Sequence, residues 1–141
     1  MSSQGDRLFD LTQEILEDLR LEAGLPDLPQ NAFRHGDVYS DLMQKILHVA
    51  RQDAGLPDSS DTEYRNDDTE LAVLRKVLDA ERGALPDVPA NSFRHGDQLY
   101  DLWRKLLNVL RQKFGHPDTA DTNFRPGDTP FDLLRKISRL L

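Results

Sequence analysis

The stretch Phe93-Arg94-His95-Gly96-Asp97-Gln98-Leu99-Tyr100-Asp101-Leu102-Trp103-Arg104-Lys105-Leu106-Leu107 decides the fold class of this chain. It opens on a polar turn ending at Asp97, after which apolar residues return as Leu102, Trp103, Leu106 and Leu107, with Val109 continuing the series just beyond it. Spacings of three and four trace one wide stripe on an α-helix, whereas a strand would alternate with a period of two.

The same stretch recurs along the chain. An aromatic-Arg-x-[Gly/Asp]-Asp motif occurs as Phe33-Arg34-His35-Gly36-Asp37, Tyr64-Arg65-Asn66-Asp67-Asp68, Phe93-Arg94-His95-Gly96-Asp97 and Phe124-Arg125-Pro126-Gly127-Asp128, with Gly5-Asp6 as a truncated fifth copy. The marker aspartates at 6, 37, 68, 97 and 128 are separated by 31, 31, 29 and 31 residues. A period near 30 lies within the ~20–50 residues of stacked supersecondary units. The apolar columns repeat with it: Leu11, Leu42, Val73, Leu102 and Leu133, then Ile15, Ile46, Val77, Leu106 and Ile137. A super-period of 60 overlies it, since Leu25-Pro26-Asp27-Leu28-Pro29 returns as Leu85-Pro86-Asp87-Val88-Pro89, and Pro57-Asp58 with Asp61-Thr62 returns as Pro117-Asp118 with Asp121-Thr122. The chain therefore reads as one helical-repeat domain over 1–141, with units 5–33, 34–64, 65–93, 94–124 and 125–141.

The helix ends carry their own signals. The marker aspartates stand where a side-chain oxygen can cap the first turn, with Thr129-Pro130 as a second cap in the last copy. Gly24, Gly55 and Gly115, each followed two residues later by proline, mark helix stops, and the third copy, two residues shorter, stops near Gly83 and Pro86. Asp41 with Lys45, Asp101 with Lys105 and Asp132 with Lys136 have the acid-first i,i+4 order of solvated helix pairs. A helix with one apolar stripe needs neighbours to bury it. The expected fold is all-α: about five short amphipathic helices joined by Pro/Asp-rich extended linkers, wound as a solenoid or closed as a compact bundle.

Composition narrows the function. With 18 Lys and Arg against 25 Asp and Glu, the net charge of −7 removes the general attraction to phosphate that nonspecific nucleic-acid binding depends on. The absence of cysteine excludes disulfides, thiolate metal sites and a Cys nucleophile. No apolar run approaches the ~20 residues of a membrane helix, and Met1–Asp6 has no signal-peptide pattern, so the expectation is a soluble protein, cytoplasmic or virion-associated. The charge is uneven: residues 1–70 hold 6 basic and 16 acidic residues, or −10, and residues 71–141 hold 12 and 9, or +3.

No nucleophile-elbow, zinc-protease, P-loop or dinucleotide motif occurs, and five related units supply no unique polar constellation, so no enzyme and no cofactor is expected. His35 and His95, in their shared Arg-His-Gly-Asp context, raise a metal reading, but the equivalent positions are Asn66 and Pro126. Asp58, Asp61, Asp67 and Asp68 are the densest acidic cluster, yet their order is not that of a calcium loop. The repeat positions Phe33, Arg34, Asp37, Tyr64, Arg65, Asp68, Phe93, Arg94, Asp97, Phe124, Arg125 and Asp128 read as structural staples, the aromatic plugging the core and the Arg reaching a carboxylate or helix end. The C-terminal Leu140 and Leu141, without a glycine-proline stop or polar cap, either close the core of this chain or form a candidate interface with another subunit.

The block Phe124-Arg125-Pro126-Gly127-Asp128-Thr129-Pro130-Phe131-Asp132-Leu133-Leu134-Arg135-Lys136-Ile137 resembles Pro-Gly-Asp-Thr and Leu-Leu-x-Lys-Ile segments of tailed-bacteriophage virion structural proteins. The resemblance implies a fibre, decoration or adaptor component. The expected function is thus a non-enzymatic structural or adaptor protein that binds other proteins, copies of itself included. The alternative is a ligand- or calcium-binding helical module using the acidic linkers.

Overall fold

The computed structural model describes residues 4–141, with side chains from Leu8 onward. Five helices follow in order, α1 Gln4–Glu22, α2 Tyr39–Asp53, α3 Glu70–Arg82, α4 Leu99–Lys113 and α5 Pro130–Leu140, and the described residues contain no strand. Each helix buries its repeat stripe; Leu42, Leu47, Leu74, Leu78, Leu102, Leu107 and Leu133 are fully enclosed at 0% exposure.

Every helix packs against two neighbours only: α1 on α2, α2 on α3, α3 on α4, α4 on α5, and α5 back on α1. The array is a closed ring. The compact bundle forms and the open solenoid does not, because α1 and α5 each have an apolar stripe needing two partners and satisfy it by meeting each other.

The helices run parallel. At one end Tyr39, the first residue of α2, donates its hydroxyl to Glu70, the first residue of α3, at 3.2 Å. At the other end Lys113 at the close of α4 reaches Glu81 near the end of α3 at 2.9 Å and Asp53 at the end of α2 at 3.5 Å. Parallel neighbours need a return strand of chain as long as the helix. All four connectors have 16 residues (23–38, 54–69, 83–98 and 114–129), enough to retrace a helix rising ~1.5 Å per residue. The deletion in the third unit falls in α3, which has 13 residues against 15 in α2 and α4, and leaves its connector intact.

Two sequence expectations are sharpened here. Leu140 is buried at 7% exposure and Leu141 packs half-buried against the core, so of the two roles open to these leucines the structure shows the first, closing the ring of their own chain. Asp6 lies outside the residues whose side chains are described, but the backbone at Gly5-Asp6 is already helical, so the truncated copy is the start of α1 and not a turn before it.

Ring closure has a measurable signature. Ile137 in α5 and Ile46 in α2 are exposed at 0% and 1%. Truncation of either to alanine is expected to cost about 2–5 kcal/mol in urea unfolding. A loss under 1 kcal/mol for Ile137→Ala beside a full loss for Ile46→Ala would show that α5 packs only as the frayed end of an open array.

Candidate functional site

The repeat motif builds a rigid connector before it builds anything else. In each turn the marker aspartate accepts from the backbone N–H of the arginine three residues earlier: Asp37 from Arg34 at 2.9 Å, Asp68 from Arg65 at 2.9 Å, Asp97 from Arg94 at 2.8 Å and Asp128 from Arg125 at 2.9 Å. The same carboxylate takes the ammonium of the lysine eight residues on, Lys45, Lys76, Lys105 or Lys136, at 2.5–2.6 Å. Each lysine also donates to the carbonyl before the aromatic, Ala32, Glu63, Ser92 or Asn123, at 2.9–3.0 Å. One half-buried cation thus ties a helix to two points of the connector ahead of it.

This corrects two expectations. The marker aspartates do not cap the helices; the N-caps are Val38, Thr69, Gln98 and Thr129, one residue later. Asp41 and Asp101 close the first turn by accepting from the N–H of Val38 and Gln98, both at 2.8 Å, and Asp132 does the same for Thr129 at 2.9 Å. The i,i+4 acid-lysine pairs therefore do not form, since each acid is engaged at the cap and each lysine is drawn under the turn.

The motif arginines reach carboxylates within their connectors, Arg34 to Asp27 at 2.7 Å, Arg65 to Asp58 at 3.1 Å, Arg94 to Asp87 at 2.8 Å and Arg125 to Asp118 at 3.0 Å. These pairs are solvent-facing and contribute little each. The aromatics do not plug the core: Phe33, Tyr64, Phe93 and Phe124 are half-buried. Three of them are seen lying against the preceding helix, Phe33 edge-on to Phe9, Phe93 under Arg75 and Phe124 under Arg104. Asp67, in the place of Gly36, Gly96 and Gly127, stays out of the positive φ that all three adopt, yet the Asp68–Arg65 bonds of its turn are kept.

His35 and His95 are exposed. Asp58 is engaged by Arg65 and Asp68 by Lys76, and among the described residues no group of three acids or histidines is placed to hold a metal ion.

The one concave site shared by every unit lies where the five helix N-termini converge. Its wall is the position two residues after each marker aspartate: Leu8, Tyr39, Glu70, Leu99 and Pro130. Phe9 and Tyr100 add to that wall, and Trp103 and Leu134 line the pocket from one turn further along α4 and α5. The cavity holds about 500 Å³. Glu70 is its only carboxylate, and burial together with the charge of Glu70 pushes the Tyr39 phenol well above its ordinary value, so Tyr39 stays a neutral donor. Parallel packing aims the positive ends of five helix dipoles toward this mouth. Sequence reasoning passes over these residues because it follows what the units share. Their signal is the opposite one: a column holding Leu, Tyr, Glu, Leu and Pro varies at a fixed place in an otherwise repeating turn.

No family model, curated protein or solved structure matches this chain.

Two outcomes test the staple. Asp97→Ala leaves Lys105 with the Ser92 carbonyl alone and the Arg94 N–H without its acceptor, and is expected to lower unfolding stability by about 1–3 kcal/mol; a change under 0.5 kcal/mol would remove the staple from the list of structural determinants. Acid has the same target. Burial pushes the carboxyls of Asp37, Asp68 and Asp97 up, but the lysine and backbone N–H bonded to each outweigh it and hold all three below the usual carboxylate range. A carboxyl depressed in the folded state contributes stability that is complete above its unfolded value of ~3.9 and is lost as pH falls through the lower folded value. The urea midpoint is therefore expected to hold from neutrality to about pH 4 and drop below it, more steeply in the wild type than in Asp97→Asn. Equal slopes in the two proteins would sink this account.

Proposed function

We propose that this protein is a non-enzymatic structural or adaptor component that takes up an apolar group of clustered side chains, presented by a protein partner, in the mouth of its ring. The mouth carries this reading: about 500 Å³ of mostly apolar space, with the exposed Val38 beside Tyr39 at the start of α2. The repeated charged residues support it by elimination, because Asp37, Lys45, Arg34 and their counterparts are committed to holding connectors. With these repeat charges spent on scaffold, the mouth has apolar burial as its means of recognition. Among the described residues no helix is long and apolar enough to cross a membrane.

The likeness of Phe124–Ile137 to segments of tailed-phage virion proteins suggests the setting, a component within a large assembly. A ligand-binding module is the second reading, favoured by the cavity volume, which lies within the ~300–1,000 Å³ of small-molecule sites; its ligand would sit in the mouth and not on the acidic linkers.

Trp103 is the sole tryptophan and lines the mouth, which makes it an intrinsic reporter. A partner isolated on the full chain is expected to shift Trp103 emission and to be lost by Leu99→Arg, a change at a partly buried first-turn position whose fold is checked by unchanged circular dichroism. Equal retention by wild type and Leu99→Arg, with unchanged emission, would refute the mouth as the binding site. Saturable emission changes with a small apolar dye alone, and none with protein, would favour the second reading.

A further inference from the structure

Four of the five seams between neighbouring helices are covered by a connector; all four are gripped at the marker aspartate and three of them also at the aromatic. The helix behind holds the aromatic: Phe33 meets Phe9 edge-on with centroids 6.1 Å apart, Phe93 lies 4.2 Å under the Arg75 guanidinium, and Phe124 lies 4.0 Å under Arg104 while meeting Tyr100 edge-on at 6.0 Å. Four residues later the helix ahead holds the marker aspartate with its lysine.

The seam between α5 and α1 has no connector among the described residues. The aromatic grip is nevertheless present on α5, where Phe131 and Arg135 stand at the positions of Tyr100 and Arg104. With no connector ring beneath it, Arg135 lies 5.8 Å from its own Phe131; it is exposed and forms no ion pair among the described residues. The second grip has changed sign. At the position of Lys45, Lys76, Lys105 and Lys136, α1 carries Glu14, also exposed and also without an ion pair among the described residues.

We propose that the α5–α1 seam docks an extended segment of another protein, with an aromatic side chain lodged against Phe131 under Arg135 and a Lys or Arg four residues further on paired with Glu14. The occupant follows from charge complementarity with the two walls and from the built-in connectors, which place an aromatic, Phe or Tyr, at the same position in four equivalent seams. The reversed charge at Glu14 excludes the chain's own connectors, all of which present Asp at that point, so a swapped segment from a second copy is the wrong complement. This deepens the protein-binding reading, on which it rests, at a site separate from the mouth.

The probe is a dye-labelled peptide of residues 117–129 carrying Asp128→Lys, titrated into the full chain and followed by fluorescence anisotropy. Saturable binding is expected, weakened roughly tenfold by Phe124→Ala in the peptide or Arg135→Ala in the protein, as for loss of a partly desolvated cation–π contact. Glu14→Lys in the protein is expected to invert the preference, so that the unaltered peptide binds better than the Asp128→Lys one. Both protein positions are exposed, and unchanged circular dichroism confirms that the variants fold. No saturation at millimolar peptide, or binding indifferent to Glu14→Lys, overturns the proposal. Trp103 emission separates the two sites: a shift during the titration would put the peptide in the mouth and overturn the seam while leaving the mouth reading standing.

Discussion

The half-buried lysine beneath each turn is the constraint on which the rest depends. A connector of 16 residues has no sheet or helix of its own to satisfy its backbone, and a free loop of that length would be uncommon in a compact domain. Lys45 and its three counterparts answer this by binding the marker carboxylate and a carbonyl five residues before it, so one side chain sets the path of the return segment. Buried polar groups are tolerable where every partner is present, and here the set is complete in all four copies. Because the connector path is set, successive helices start at the same level, which makes them parallel and brings all five N-termini to one end.

The helices, their period and their glycine stops were readable from residue order, because amphipathic spacing and left-handed C-terminal glycines act locally. Gly24, Gly55 and Gly115 do adopt positive φ just past α1, α2 and α4. The caps fall one residue after the marker aspartates for a physical reason: aspartate before a helix serves equally well as a cap or as the closure of the preceding turn, and only the position of Lys45 decides which. The same long-range draw removed the i,i+4 pairs, since Lys45 gains more from two partners under the turn than from Asp41 on the surface. Closure was beyond local pattern altogether. Whether α5 meets α1 depends on the small rotation between neighbours summed around five units, and no single spacing records that sum.

Closure also changes the meaning of the charge split. Along a solenoid, −10 in the first half and +3 in the second would separate two distant ends. In the ring they meet, with Glu14 on α1 and Arg135 on α5 along one seam. The variable column at the mouth has a parallel history: five residues that look unrelated in the chain become the wall of one cavity. In both cases the information lies in departures from the repeat, while the repeat itself is consumed by folding.

The contact between α5 and α1 further fixes how such a protein can change over generations. An open repeat array lengthens by copying a unit, and each intermediate remains a working array. A ring offers no such increment: an added 60-residue module would have to part the seam and re-form it at a wider angle, altering every interface at once. Copy number is thereby held in place by geometry, and diversification is channelled into substitutions at the mouth and the seam. The two-residue loss in α3, absorbed within a helix without disturbing its connector, is the kind of length change this architecture admits.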